Sequence, residues 1–278
     1  MKIAVLSGKG GAGKTFVAAN LAAAAGPAVY VDCDVEEPNG RLFWQPEEVS
    51  CTAVNTKLPS FDSEKCIGCR KCVNFCRFHA LVFLKDKPML FPEVCHSCGG
   101  CDLVCPAGAV TEQDKEVGHL EIGKRGEVSV VTGVLNPGEA SGVPVISAAL
   151  EQGKKLGKTV IVDCPPGSAC PVVESVSKAD RCVLVAEPTA FGFDNFCMVY
   201  ELVRLLGKPC GVVINKMDTP YPPLEDFCQQ QNLPILARIP YDPKVAASVA
   251  DGQILAFQDA DTMELFRQIL DQIGGAVQ

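Results

Sequence analysis

Short apolar runs separated by longer amphipathic stretches set the rhythm of this chain. KIAVLSG (2–8), AVYVDCD (28–34), EVSVVTGVL (127–135), KTVIVDCPPG (158–167), RCVLVAEPT (181–189), CGVVINKMD (210–218) and LPILARIPYD (233–242) read as strands buried on both faces, because their apolar residues run on without the alternation of a half-exposed strand. Between them, KTFVAANLAAAAG (14–26), GVPVISAALEQGKKLG (142–157) and NFCMVYELVRLLGK (195–208) have helical spacing, the first stopped by Gly26. MELFRQILDQI (263–273) has the same spacing with Glu264, Arg267 and Asp271 among its polar positions. A membrane-surface helix would be basic, so this one is expected to face the core. Strands alternating with helices predict a doubly wound, mostly parallel α/β sheet whose ligands bind beyond the strands' carboxyl ends.

From about Lys57 to Gln113 this rhythm lapses into a loop-rich stretch with Pro59, Pro88, Pro92 and Pro106. Residues 1–57 and 114–278 are therefore expected to form one domain and 58–113 a small insert. The lapse coincides with the only internal repeat, CIGCRKCVNFC (66–76) and CHSCGGCDLVCP (95–106). Sixteen cysteines with no secretory pattern argue for metal ligation in a reducing, cytoplasmic setting and against a disulfide framework. IAVL (3–6) runs straight into a glycine-rich loop, so no targeting segment is expected. A net charge of −8 speaks against nucleic acid as a partner. No apolar run approaches the ~20 residues of a membrane span, so membrane insertion is not expected either.

Both cysteine runs have the spacing C-x2-C-x2-C-x3-C, the bacterial ferredoxin pattern in which the fourth cysteine serves the other cluster. That rule assigns Cys66, Cys69, Cys72 and Cys105 to one 4Fe–4S cluster, and Cys95, Cys98, Cys101 and Cys76 to a second. Zinc sites pair C-x2-C units from separate places, a poorer match to two three-plus-one runs. Pro106 follows the second run as the pattern expects, whereas Arg77 follows the first. Arg70, Lys71 and Arg77 lie among the first run's ligands, and such cations stabilise a reduced cluster and raise its potential. With eight thiolates accounted for, His79 and His96 are not needed as ligands. The remaining cysteines, Cys33, Cys51, Cys164, Cys170, Cys182, Cys197, Cys210 and Cys228, read as small hydrophobes.

Gly8 to Thr15, GKGGAGKT, fits G-x-x-x-x-G-K-[ST] between a strand and a helix. Backbone N–H groups of Gly8, Lys9, Gly10, Gly11, Ala12 and Gly13 are placed to close around phosphate, with the helix N-terminus adding positive charge. Lys14 would reach the β- and γ-phosphates and Thr15 would ligate Mg²⁺. The second lysine, Lys9, makes KGGAGKT resemble the deviant P-loop of the MinD/Mrp/ParA ATPases and the nitrogenase iron protein. That resemblance implies ATP or ADP bound at a dimer interface, with Lys9 reaching the partner's phosphates. It further implies Asp34 of VDCD as the water-orienting carboxylate, Asp32 as an accessory near Mg²⁺, Asp163 of VIVDCPPG near the metal, and Asn215, Pro240 and Asp242 around adenine. Phe16 departs from the pattern, standing where a second Thr or Ser is usual. Charge gives these residues their logic, since hydrolysis gathers negative charge on the transferred phosphoryl, which two lysines and Mg²⁺ stabilise.

The whole chain resembles the MinD-superfamily ATPases with an inserted, small α+β ferredoxin-like domain. The implied function is ATP hydrolysis, slow and stimulated by dimerisation or a partner, coupled to low-potential electron transfer to a redox partner protein. The dimer could be a homodimer or a heterodimer with a related ATPase. Two other readings are open: an iron–sulfur cluster carrier of Mrp type, and a spatial organiser like MinD or ParA. The insert follows directly on VDCD, so a loop change on loss of the γ-phosphate is expected to move it. Cys170 stands seven residues after Asp163, an offset similar to that of a bridging-cluster cysteine in the nitrogenase iron protein, which implies a place near the dimer axis.

Overall fold

Seven of the nine strands in the main sheet are those the apolar runs predict. In the computed structural model, which describes residues 1–275, the chain runs β1 (Lys2–Leu6), α1 (Lys14–Ala24), β2 (Val29–Asp32), α2 (Gly40–Trp44), β3 (Glu47–Phe61), α3 (Lys71–Phe75), β4 (Leu81–Leu84), β5 (Lys87–Leu90), α4 (Gly100–Leu103), β6 (Val110–Arg125), β7 (Val128–Leu135), α5 (Val143–Leu156), β8 (Val160–Asp163), α6 (Cys170–Ser177), β9 (Arg181–Ala186), α7 (Ala190–Leu205), β10 (Cys210–Met217), α8 (Pro222–Gln230), β11 (Ile235–Pro240), α9 (Pro243–Ala250) and α10 (Ala260–Gly275). The sheet order is β11-β10-β9-β1-β8-β2-β7-β6-β3. Pairing is parallel from β11 to β7 and antiparallel beyond.

Alternate residues of a central strand feed opposite layers. Ile3 and Val5 of β1 pack with Val17 and Leu21 of α1 and Phe266 and Ile269 of α10. Ala4 and Leu6 pack with Ile146 of α5, Val172 of α6, Phe196 of α7 and Leu224 of α8. Helices thus cover both faces, which is why the strands are apolar throughout. Helix α1 is buried almost all round because it lies between the sheet and α10, with its alanines allowing close approach. α10 turns Phe266, Ile269 and Ile273 inward, and the Phe266 ring meets Phe16 edge-on at 5.9 Å.

The edge beyond β7 differs from the predicted pattern. β3 and β6, 15 and 16 residues long, form an antiparallel ribbon. Only Gly118–Arg125 of β6 pairs with β7. Gly118 lies opposite Leu135 at the carboxyl end of β7, so the rest of the ribbon, Asn55–Phe61 against Val110–Glu116, projects past the carboxyl ends of the parallel strands. That is the side on which the glycine-rich loop lies. At about 3.3 Å per residue the free arm reaches roughly 20 Å. The insert therefore does not follow directly on VDCD: α2 and β3 intervene, and the expected boundaries at 58 and 113 fall inside the two ribbon strands.

Residues 62–109 at the tip of the arm hold α3, α4 and the β4–β5 hairpin. The repeat in sequence is a repeat in backbone. Arg70 and Gly99, each following the second cysteine of its run, are left-handed at φ 61° and 69° and start α3 and α4. The two short helices approach so closely that a Cβ on Gly100 would enter the Phe75 ring.

Candidate functional site

The loop between β1 and α1 must bend sharply, and Gly11 and Gly13 do so at φ 80° and 92°. A side chain on Gly13 would also collide with the Asn215 amide. No side chain caps α1, so its first N–H groups open into the loop as an anion site. Asn215 at the end of β10 donates Nδ2–H to the Ala12 carbonyl at 2.9 Å, and Lys216 Nζ donates to Gly11 O at 2.6 Å.

Behind the loop, Asp32 and Asp163 stand opposite each other in register at the ends of β2 and β8. Buried Lys14 donates to Asp163 Oδ1 and lies 3.9 Å from Asp34 Oδ2. Tyr30, two residues before Asp32 on the same face, donates its hydroxyl to Asp163 Oδ2 at 2.8 Å. Asp32 accepts the backbone N–H groups of Asp34 at 3.0 Å and Gly40 at 2.8 Å, so it shapes the loop that carries Asp34. Burial opposes the charge on Lys14, but Asp163, Asp32 and Asp34 overcome it and hold its pKa above the usual lysine value. Burial, reinforced by Asp163, raises Asp32 to about 8. Burial likewise outweighs Lys14 and brings Asp34 to about 6. Three carboxylates share one ammonium, a local excess of negative charge that suits a hard divalent cation with phosphate and water completing its shell. Among the described residues no three His, Cys, Asp or Glu side chains form a self-sufficient cage for one ion, and Mg²⁺ at phosphate sites commonly uses only one or two carboxylates.

Next to this cluster, a cleft of about 200 Å³ is lined by Gly13, Phe16, Asn215, Pro240, Tyr241 and Asp242, with Val245, Ala246 and Val249 of α9. The structure thus brings together Asn215, Pro240 and Asp242, and sets Phe16 on the same wall. Asp242 also caps α9, accepting Lys244 N–H at 2.7 Å. Lys9 lies apart from the carboxylates. Its ammonium pairs with Glu187 at 2.7 Å and sits 5.2 Å over the Phe191 ring.

At the tip of the arm the cysteines surround two hollows. One is lined by Cys66, Cys69, Cys72 and Cys105, together with Arg70, Lys71, Phe83 and Ala109. The other is lined by Cys76, Cys95, Cys98 and Cys101, together with Phe75, Phe78, His96 and Glu112, and is touched by Cys72. The first hollow draws three cysteines from the first run and Cys105 from the second, and the other draws three from the second run with Cys76 and the shared Cys72 from the first. The thiols ring a space instead of converging on a point, which suits a multi-iron group better than a single zinc held at about 2.3 Å from each sulfur. Arg77 lines neither hollow. His96 stacks on Phe78 at 3.9 Å between ring centroids.

The profile of the CobQ/CobB/MinD/ParA nucleotide binding domain matches residues 3–255. The chain belongs to this family. An uncharacterised protein of Methanocaldococcus jannaschii is 28% identical over 279 residues, covering 98% of this chain and 96% of that protein. Among solved structures, the cell division ATPase MinD of Pyrococcus furiosus superposes with a TM-score of 0.60 at 18% identity over 99% of each chain. MinD of Pyrococcus horikoshii, complexed with Mg-ADP, gives 0.60 at 18% identity over 98% of this chain and 95% of that one. A third similarity is confined to a short segment: the protein named ferredoxin 7Fe of Hydrogenibacillus schlegelii is 35% identical over 54 residues, 19% of this chain and 69% of that one. A MinD/ParA-type ATPase fold with a ferredoxin-like stretch follows.

In this CobQ/CobB/MinD/ParA family member a run of contacts leads from the Asp34 loop to the Cys95 loop. Val35, next to Asp34, accepts Leu135 N–H at 2.9 Å, and Asn136 N–H in turn reaches Val117 O at 2.9 Å. Lys115 on the same ribbon strand pairs with Glu139 at 2.7 Å. Glu139, Ala140, Ser141 and Pro144 then line a crevice with Cys95, His96 and Ser97. Every residue lining the Cys66 hollow, by contrast, lies between Phe61 and Val110. Cys170 is exposed at the start of α6, whereas Cys33 and Cys164 are buried. No helix among the described residues is long and apolar enough to cross a membrane.

Proposed function

We propose that this chain is an ATP-hydrolysing, dimerising iron–sulfur protein that couples nucleotide state to low-potential electron transfer. The α/β body with its ribbon forms the ATPase unit, and residues 62–109 at the tip of the arm form the two-cluster unit. Lys14 and the loop N–H groups hold phosphate, and Thr15 ligates Mg²⁺. Asp163 and Asp32 stand by Mg²⁺, Asp34 orients water, and Lys9 acts across the dimer once Glu187 releases it. Asn215, Pro240 and Asp242 take the base. The two crossed thiol sets hold two 4Fe–4S clusters, which supply one-electron redox chemistry when bound.

The observation that carries this reading is the seam from Asp34 and Val35 through Leu135, Asn136 and the Lys115–Glu139 pair to Cys95. Any rearrangement of the Asp34 loop changes what Leu135 and the loop after it rest on, and so reaches the second thiol set. Complete four-thiol sets favour retained clusters over a transferable one, since a carrier needs a labile site. An anaerobic potentiometric titration, followed by electron paramagnetic resonance with and without ATP, tests the reading. A nucleotide-dependent shift in at least one cluster is expected; two unmoved potentials would refute coupling.

A further inference from the structure

The hollow formed by Cys66, Cys69, Cys72 and Cys105 lies beside exposed apolar side chains and several cations. Ile67 is 68% exposed and Leu84 55% exposed, and Cys69, next to Arg70, is exposed as well. A Cβ on Gly68 would meet the Phe83 ring and the Asp86 backbone, so the cysteine loop and the tip of the β4–β5 hairpin lie side by side. Arg70, Lys71, Lys85 and Lys87 are exposed around it. None of the four is ion-paired among the described residues, and Asp86 is the one acid on the hairpin tip. The chain as a whole has 33 Asp and Glu against 25 Lys and Arg, yet residues 62–109 hold five against six. An apolar centre ringed by unpaired cations, on a molecule that is otherwise acidic, is an electrostatically complementary seat for an acidic protein face.

We propose that this patch docks a redox protein with an acidic contact surface and its own one-electron centre. The proposal rests on the electron-transfer reading and adds where the partner sits and what its surface must be. The patch suits this role because it directly covers the thiol set that no residue of the ATPase body lines. Exchange there moves one electron between the chain and the partner's centre, which is oxidant or reductant according to direction. No bond forms and no proton moves.

The test uses the iron-loaded full chain with two probes, an acidic flavodoxin and a basic cytochrome c. Calorimetric binding at low salt is the primary readout and the rate of electron exchange the second. Flavodoxin should bind more tightly than cytochrome c, and the combined Lys85→Glu and Lys87→Glu variant should weaken it about tenfold or more. That variant should also reverse the order of the two probes in exchange rate. Lys85→Gln with Lys87→Gln should give a smaller loss in the same direction, and serves if the charge reversal lowers iron content. Unchanged flavodoxin affinity in both variants would overturn the proposal, and so would single-stranded nucleic acid outcompeting flavodoxin at the patch. Charge-sensitive binding without any electron exchange would instead refute the electron-transfer reading and leave the docking surface standing. Exchange that ignores both variants would do the opposite.

Discussion

The two cysteine-lined hollows share one spacing rule and the same left-handed turn after the second cysteine, at Arg70 and Gly99, yet their surroundings differ. Arg70 and Lys71 line the outer hollow, with the Arg70 guanidinium 4.4 Å over the Phe83 ring. Around the inner one stand Glu112, His96 and Phe75, and its Cys95 loop shares a crevice with the ATPase body. Ligand spacing decides that two equivalent sets exist. Their neighbours decide that the sets are unequal in charge and in contact with the ATPase body. The contrast separates an inner set whose loop borders the ATPase body from an outer one lined only by residues between Phe61 and Val110.

Removing a ligand tests the contrast most severely. Cys105→Ser should abolish the outer set's spectroscopic signal and leave the inner one, and Cys76→Ser should do the reverse. Iron should fall from about eight atoms per chain toward about four in each case, since two complete sites hold eight. The reverse pattern of losses would mean that each run folds around its own cluster. Next in size is the nucleotide side. Lys14→Ala should abolish ATP binding and with it any shift in the inner set, whereas Lys9→Ala should keep binding and lower hydrolysis by about 10²-fold or more. Equal loss of binding in both, measured by nucleotide fluorescence, would make Lys9 an ordinary contact within one subunit.

Two smaller effects sharpen the comparison. Changing Arg70 and Lys71 together to Gln should lower the outer potential by roughly 20–40 mV, what exposed cations worth about 0.5–1 kcal/mol do to a one-electron couple. The inner potential should stay put. Glu139→Gln should reduce the ATP-dependent shift of the inner set without altering iron content or nucleotide affinity, because Glu139 is itself a ligand of neither site. A full-sized shift in that variant would remove the Lys115–Glu139 pair from the coupling.

Much of this was legible in the sequence. β1, β2 and β7 to β11 are apolar because both faces are covered, and the cysteine spacing marks the two runs that the fold brings together at the tip of the arm. β3 and β6 were not legible. They pair at an edge and bury only scattered residues such as Val54, Leu58, Val117 and Leu120, so EEVSCTAVNTK and TEQDKEVGH carry no strong period. The inner position of the Cys95 set depends on ribbon register and on the loop at 136–142, for which no local pattern speaks. Tyr30 was findable, since the two-residue period of a strand puts it on the face of Asp32. Glu187 and Lys216 had no comparable signal, because each reaches the loop from a distant strand end.

The free arm of the ribbon has a further consequence. Phe61 and Val110 are directly paired, so the chain leaves for the insert and returns from it at a single rung. Such a junction is a socket. Replacing residues 62–109 by an Asn-Gly turn would close the arm as an ordinary hairpin, and the remaining chain should fold with its phosphate loop intact, as circular dichroism and nucleotide binding would report. A different small domain whose termini lie one strand spacing apart, about 4.8 Å, could be plugged into the same rung.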